Sequence, residues 1–164
     1  MNLLWLLGFK LSWFALIFWQ QAALLPVFFL WLLALWLLNQ PQRLAVVVLT
    51  LLGIALDFSL VQVGVFHFAE TSGVPLWMML LWGCFACVAV KVFAVWFQPW
   101  YLAVLAGAIS GPLAYWAGAN LGGQLSYADL TQVCLILAPI WALLMSAICH
   151  FSYLWSESNE QKLA

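Results

Sequence analysis

The sequence GAISGPLAYWAGANLGG, from Gly107 to Gly123, contains the densest cluster of small residues in the chain. Helical periodicity places four of its glycines near one face, where another helix backbone can approach closely. Pro112 removes a backbone donor and favours a kink beside them. The stretch predicts the central packing helix of a membrane bundle, and a broken-helix ligand site is the alternative interpretation. The predicted packing stripe consists of Gly107, Gly111, Pro112, Gly118 and Gly122.

The composition excludes an ordinary soluble domain, because 68% of the residues are apolar and 5% are charged. The net charge of −1 offers no basic surface for nucleic acid, so the expected partner is the lipid bilayer. The four cysteines lie in apolar runs, which predicts buried thiols instead of disulfides or a zinc site. We expect no cofactor and no bound metal.

The chain has 164 residues, and a helical span needs about 20, so six spans fit. We predict an all-α, polytopic six-transmembrane-helix bundle in a single domain, residues 1–155, followed by a polar cytoplasmic tail, residues 156–164. The predicted spans are about residues 3–19, 22–38, 44–66, 76–97, 101–121 and 130–155. A turn is predicted at residues 98–100, and Ser126 is predicted to cap the sixth helix, with Asp129 in the capping-box position.

The few charged residues outside the span centres predict the orientation. Arg43, Lys91 and Lys162 fall on one side of the predicted bundle, whereas Glu70 and Asp129 fall on the other. The positive-inside rule makes the basic side cytoplasmic. With an even number of spans, both the N and the C terminus are then cytoplasmic.

Three ionisable residues lie inside predicted spans. A charge at the centre of a span costs roughly 2.5–3.5 kcal/mol, so it usually faces a partner or a wet cavity. Lys91 can extend to the surface from near the end of its span. Asp57 lies deepest, and it forms either a structural pair with Lys10, a neutral hydrogen-bonded group, or a functional proton, cation or ligand site. The candidate intramembrane polar site consists of Asp57, Lys10, Tyr115 and Asn120.

The chain contains no G-x-S-x-G, H-E-x-x-H or phosphate-loop motif, and no pair of carboxylates placed for acid–base chemistry. We therefore predict no catalytic residues, and an enzyme is the least supported class of function.

Four segments together carry a family resemblance: LSWF (Leu11–Phe14), ALDFSL around Asp57, PLWMMLLWGCFA (Pro75–Ala86) and GPLAYWAGANLGG (Gly111–Gly123). The chain resembles a family of small bacterial membrane proteins known as domain of unknown function 2878. The resemblance implies a multi-pass protein of the bacterial inner (cytoplasmic) membrane without an established activity, and it suggests a link to membrane-lipid or stress biology. Lys91 departs from the family pattern.

Two functions compete, and a lipid-active enzyme is a third class, which would need a catalytic cluster that the sequence does not reveal. The first is an accessory protein whose glycine stripe docks a membrane-protein partner or forms a homo-oligomer. The alternative is a small-molecule binding or transport subunit similar to the six-span substrate-binding components of vitamin importers. It is also similar to the rod-shape membrane subunit, whose G-x-x-x-D spacing is matched by Gly53 and Asp57. A stripe that faces lipid favours docking. Convergence of Asp57, Tyr115, Asn120, His67 and Glu70 on one cavity favours binding.

Overall fold

The computed structural model describes residues 2–96, 100–127 and 129–161, and it describes the side chains of residues 2–94, 96, 100–127 and 129–150. The turn predicted at residues 98–100 lies mostly outside this part of the chain. Residues 162–164 of the predicted tail, including Lys162, also lie outside it.

The described chain is almost entirely helical. It consists of α1 (Asn2–Trp19), a 3₁₀ turn (Gln20–Ala23), α2 (Leu24–Trp36), α3 (Gln40–Gln62), β1 (His67–Phe68), α4 (Leu76–Val88), a π-helical segment (Ala89–Phe93), α5 (Ala94–Trp96), α6 (Trp100–Gly122), β2 (Leu125–Ser126) and α7 (Leu130–Gln161).

Five helical stretches of the described chain are long and apolar enough to cross a membrane, which makes this a multi-pass membrane protein. They are Asn2–Trp36, Gln40–Gln62, Leu76–Phe93, Trp100–Gly122 and Leu130–His150. The number differs from the six predicted spans because α1, the 3₁₀ turn and α2 follow one another directly along the chain, so they are counted as one stretch.

Within that first stretch the chain reverses direction. Gln20 has a φ of 42°, in the left-handed region, which interrupts the helix. Leu4, near the start of α1, and Leu37, just after α2, line the same cavity. A straight helix would hold these two residues about 50 Å apart. α1 and α2 are therefore the two arms of a helical hairpin.

The two ends of the bundle are built differently. At one end, β1 pairs antiparallel with β2, with His67 opposite Ser126, and so joins the α3–α4 loop to the α6–α7 loop. The side chain of Gln20 donates to the Gly122 carbonyl there, at 3.3 Å. At the other end, Arg43 donates to the carbonyls that end α2. We call these the strand end and the arginine end.

The helix caps correct one prediction. α3 begins with a capping box formed by Asn39 and Gln42. Ser126, the predicted cap of the last helix, lies in β2 instead. Asp129 takes that role, because its Oδ1 accepts from the backbone N–H of Thr131 at 2.9 Å. The prediction of a Ser126 cap was wrong because strand pairing uses that residue.

The central helix is α4, whereas the sequence predicted α6. Two-thirds of Leu76–Phe93 is buried, compared with a third or less of the other long stretches. α6 runs through Pro112 as one helix, so the alternative of a helix broken there is also wrong. A departure from α-helical geometry occurs directly after α4 instead, where Ala89–Phe93 is π-helical.

Candidate functional site

A buried carboxylate joins three helices near the strand end of the bundle. Asp57 on α3 is fully buried. Its Oδ1 accepts a hydrogen bond from the Tyr115 hydroxyl of α6 at 2.5 Å, and its Oδ2 accepts one from the Trp82 indole N–H of α4 at 2.7 Å. Asp57 lies five residues before the end of α3, about 8 Å along the helix. Both carboxylate oxygens are thus occupied by donors of the protein.

The indole ring of Trp82 belongs to a stack that crosses the bundle. It lies parallel to the ring of Trp141 on α7, with ring centroids 5.4 Å apart and planes inclined by 16°. Gly53, one turn before Asp57, makes room for this ring, because a Cβ there would overlap it. Gly111 on α6 does the same for Trp141. We call Gly53, Trp82, Trp141 and Gly111 the tryptophan sandwich.

The ring of Tyr115 is held by two aromatic contacts, in addition to the hydrogen bond of its hydroxyl. It stacks on Phe66, with centroids 5.0 Å apart and planes inclined by 17°, and it meets Trp141 edge to face. Phe66 is itself fully buried. The carboxylate of Asp57 and these ring contacts together set the orientation of Trp82 and Tyr115.

The rings of Trp82, Tyr115 and Trp141 form the floor of a cavity between α1, α4, α6 and α7. Its volume is about 450 Å³, and we call it the aromatic cavity. The floor residues Trp82, Tyr115 and Trp141 are 3%, 5% and 7% exposed. Residues at the mouth are far more exposed: Phe14 is 45% exposed and Leu113 is 55%. The cavity therefore opens sideways between α1 and α6, towards the lipid that surrounds a membrane bundle.

One polar atom of the floor has no partner among the described residues. The Trp141 indole nitrogen is buried and makes no hydrogen bond to any described residue. An indole N–H can only donate, and buried donors are nearly always paired. The ring of Trp141 lines the aromatic cavity, and its unmatched donor lies buried within the wall.

The structure brings together two of the four predicted polar residues. Asp57 and Tyr115 are directly hydrogen-bonded. Lys10 is exposed on α1 and lines the aromatic cavity, and no ion pair joins it to Asp57 in the described chain. Asn120 is exposed and donates to the Trp116 carbonyl of its own helix at 2.8 Å.

Sequence reasoning placed Tyr115 with Asp57 but did not identify Trp82 and Trp141. Trp82 and Trp141 carry no signal that separates them from the other ten tryptophans. The G-x-x-x-D spacing of Gly53 and Asp57 was the available hint, because it places a small residue and a carboxylate one turn apart on one helix face. The hydrogen bond and the ring contact of Trp82 occupy that face.

The glycine stripe packs inside the protein. Gly107 and Gly111 face Trp141 of α7, and Gly118 and Gly122 face Ile17 of α1. A Cβ on Gly122 would lie 2.8 Å from the Ile17 carbonyl oxygen. The stripe therefore holds α6 against two neighbouring helices, and Pro112, also buried, lies beside it.

No group of three His, Cys, Asp or Glu side chains comes together among the described residues. His67 and Glu70 are exposed at the strand end and do not line the aromatic cavity. The four cysteines are free thiols, and Cys84 and Cys87 are buried.

Comparison with known proteins identifies the family. A family model described as a protein of unknown function (DUF2878) matches residues 2–147, nearly the whole chain. No curated protein and no solved structure matches the chain significantly. The chain therefore belongs to the DUF2878 family of proteins of unknown function.

Proposed function

We propose that this membrane protein takes a small amphiphilic molecule from the bilayer and holds it in the aromatic cavity. The observation that carries the proposal is the aromatic cavity itself, which is lined by the ring of Trp141, whose buried indole N–H has no acceptor in the described chain. A ligand with a carbonyl or hydroxyl oxygen would supply that acceptor.

The chemistry of the wall defines the ligand class. The donors of Trp82 and Tyr115 are used by Asp57, so these residues offer the cavity mainly their rings. Aromatic faces favour apolar or planar groups. The exposed Lys10 side chain adds a positive charge to the lining. These features fit an apolar molecule with one oxygen acceptor and with a polar or anionic group near Lys10.

Asp57 acts in this proposal as a positioning residue. It does not line the cavity, it is fully buried, and both of its oxygens already accept hydrogen bonds. Its role is to hold Trp82 and Tyr115 in the orientation that shapes the floor. This assignment is favoured over a cation site because neither oxygen is free of a protein donor.

Docking through the glycine stripe is not favoured, because all four stripe glycines pack against α1 or α7. An accessory role in membrane-lipid or stress biology is compatible with a protein that takes its ligand from the bilayer. We extend the proposal to binding alone and not to transport.

We also propose six membrane crossings, with both termini in the cytoplasm of a bacterium and the bundle in its inner membrane. The α1–α2 hairpin supports two crossings within Asn2–Trp36. Arg43 and Lys91 both lie towards the arginine end, which supports a cytoplasmic location for that end.

Labelling of single introduced cysteines with a membrane-impermeant maleimide tests this topology. Gln21→Cys and Thr71→Cys should be labelled from outside intact cells, and Gln42→Cys only after the membrane is opened. Labelling of Gln21→Cys and Thr71→Cys from opposite sides would contradict the hairpin.

Native mass spectrometry of protein extracted in a mild detergent tests ligand binding. We expect a bound molecule of defined mass on the wild-type protein. Trp141→Phe keeps a ring but removes the N–H, so retention should fall about fivefold. Trp116→Phe is the matched control, because Trp116 is exposed on α6 outside the cavity.

A second variant closes the mouth and leaves the floor intact. Leu113→Trp should abolish retention, whereas Leu135→Trp, on an exposed position of α7 outside the cavity, should not. Absence of any bound molecule from the wild-type protein, or equal retention by Trp141→Phe and Trp116→Phe, would refute the proposal.

A further inference from the structure

The aromatic cavity is long and lies parallel to the helices. On α1 its lining extends from Leu6 to Ile17, and on α6 it extends from Ser110 to Leu121. Each range covers about 16 Å along its helix axis. The cavity therefore extends over about half of the hydrocarbon thickness of a bilayer, which is about 30 Å.

The volume of the cavity defines the size of its occupant. A methylene group is similar in size to a water molecule, which takes about 30 Å³ in the liquid, so the cavity of about 450 Å³ holds roughly 15 chain carbons. An extended chain of that many carbons also has about the length of the cavity. A phospholipid with two such chains would need about twice the volume. Volume and length thus agree on one hydrocarbon chain.

The cavity is closed where it meets the strand end. The residues that line it there are at most 7% exposed; they are Ile17, Trp77, Met78 and Leu125. α1 also contacts α6 at this level, because Ile17 packs against Gly122. This closed end is built from apolar residues, so it suits the methyl end of a chain.

Two polar side chains lie at the mouth of the cavity. Lys10 lies seven residues before Ile17 on α1, and Ser110 lies eight residues before Gly118 on α6. Both helices run towards the strand end, and Ile17 packs against Gly118. Lys10 and Ser110 therefore lie at a similar depth, about 10–12 Å of helix from that contact. Both side chains line the cavity, and both residues are exposed.

The hydroxyl of Ser110 is not used within the described chain. Three other helical hydroxyls, those of Thr50, Ser59 and Ser146, donate to the carbonyl four residues earlier, at 2.7–2.8 Å. Ser110 makes no hydrogen bond through its side chain to any described residue. Its hydroxyl is therefore available to an occupant of the cavity.

Lys10 has no counter-charge in the described chain. None of the described residues that line the aromatic cavity is acidic, and both oxygens of Asp57 already accept hydrogen bonds from Trp82 and Tyr115. A charge near the centre of a span is costly, so it usually faces a partner or water. An occupant with a negative charge at the mouth would supply that partner.

We propose that the molecule held in the aromatic cavity is a single-chain lipid carboxylate, that is, a long-chain fatty acid. Its chain lies along the cavity with the methyl end at the closed end, and its carboxylate accepts from the Lys10 ammonium and the Ser110 hydroxyl. A carboxylate is favoured over an alcohol because it brings the missing charge and two acceptor oxygens. This assignment rests on the proposed function, because it names the chemical class of the same ligand.

Titration of delipidated protein with hexadecanoate or its methyl ester, followed by native mass spectrometry, tests the carboxylate. The wild-type protein should bind hexadecanoate about tenfold more tightly than the ester, because the ester lacks the charge. Lys10→Gln should remove this preference, and Lys10→Arg should keep it. Lys91→Gln is the matched control, because Lys91 does not line the aromatic cavity.

The second contact is tested by Ser110→Ala, which should weaken the binding of hexadecanoate about fivefold. Ser59→Ala is its control, because Ser59 is an exposed residue of α3 outside the cavity. Equal binding of hexadecanoate by these two variants would remove Ser110 from the site and overturn the placement of the carboxylate.

Chain length tests the closed end. The wild-type protein should bind hexadecanoate at least about fivefold more tightly than docosanoate, whose chain is longer than the cavity and would clash with its closed end. Leu125→Ala enlarges the closed end and should shift the preference to longer chains. Leu113→Ala, at the mouth, should not shift it. The same preference in both variants would overturn the orientation of the chain.

Equal binding of hexadecanoate and its methyl ester by the wild-type protein, or an equal loss in Lys10→Gln and Lys91→Gln, would overturn the carboxylate. Displacement of hexadecanoate by an equal concentration of phosphatidylglycerol would assign the cavity to a two-chain lipid and overturn the single chain. If the wild-type protein retains a molecule of another class that hexadecanoate does not displace, this assignment fails and the proposed function stands. If it retains no molecule and binds no hexadecanoate, both fail.

Discussion

Removal of the Asp57 carboxylate should lower the free energy of unfolding by an amount that can be estimated from the two hydrogen bonds that the carboxylate accepts. Asp57→Ala leaves the Trp82 indole N–H and the Tyr115 hydroxyl buried without an acceptor. Each unpaired donor costs about 1–3 kcal/mol, which gives about 2–6 kcal/mol for the pair. Interhelical hydrogen bonds measured in membranes reach about 1.7 kcal/mol each, so we expect a loss of about 2–4 kcal/mol.

The free energy of unfolding is measured by titration with SDS in mixed micelles, with near-ultraviolet circular dichroism as the signal of tryptophan packing. A double-mutant cycle with Tyr115→Phe isolates one bond. Because Tyr115→Phe removes one of the two stranded donors, the double variant should be more stable than additivity predicts, by about 1–2 kcal/mol.

Asp57→Asn provides the milder comparison. An amide oxygen can still accept from the Trp82 N–H, and the Tyr115 hydroxyl can rotate to accept from the amide. The protein should therefore still accumulate in the membrane. Additive effects in the Asp57→Ala and Tyr115→Phe cycle, or a destabilisation by Asp57→Ala below about 0.5 kcal/mol, the range of ordinary surface substitutions, would refute this reasoning.

Two further substitutions follow from the same contacts. Gly53→Ala should lower the free energy of unfolding by about 1–3 kcal/mol in the SDS titration, because its Cβ overlaps the Trp82 ring. Gly8→Ala is the control and should be neutral or stabilising, because nothing lies within 4 Å of its added Cβ. Equal effects of the two substitutions would contradict the tryptophan sandwich. Lys10→Gln should change that free energy by less than about 0.5 kcal/mol, since Lys10 forms no ion pair with Asp57 in the described chain, and a loss above about 2 kcal/mol would restore the paired interpretation.

The sequence located most of the helices because the membrane imposes their length. The predicted span at residues 101–121 corresponds to Trp100–Gly122, and the one at residues 76–97 begins where α4 begins, at Leu76. The third helix begins and ends about four residues earlier than predicted, because Asn39 caps it directly after α2. The positions of turn residues and the lengths of apolar runs are local features of the sequence, so they indicate where the helices begin and end.

The centre of the bundle could not be predicted in the same way. Neither α4 nor α6 has an amphipathic pattern, so the sequence pattern did not distinguish the buried helix α4 from α6. Small residues marked α6 as a close-packing helix, which it is, but close packing against two neighbours does not require a central position.

The hydrogen bonds of Asp57 could not be predicted for a related reason, although Tyr115 was already part of the candidate polar site. Tyr115 and Trp82 lie 58 and 25 residues away along the chain, and only tertiary packing brings them to the carboxylate. Charge complementarity favoured Lys10 as the partner, but Lys10 lies on an exposed part of α1. In an apolar bundle, two neutral donors satisfy a carboxylate without the burial of a second charge.

The proposed function can be tested at a single atom, the indole proton of Trp141. Deuterated, ¹⁵N-labelled protein extracted with its bound molecules into deuterated detergent gives an indole N–H signal that Trp141→Phe assigns. We expect nuclear Overhauser contacts from this proton to carbon-bound protons of a molecule that is not protein. Contacts to water alone, or a hydrogen bond from this N–H to a residue of the protein, would contradict a ligand in the aromatic cavity.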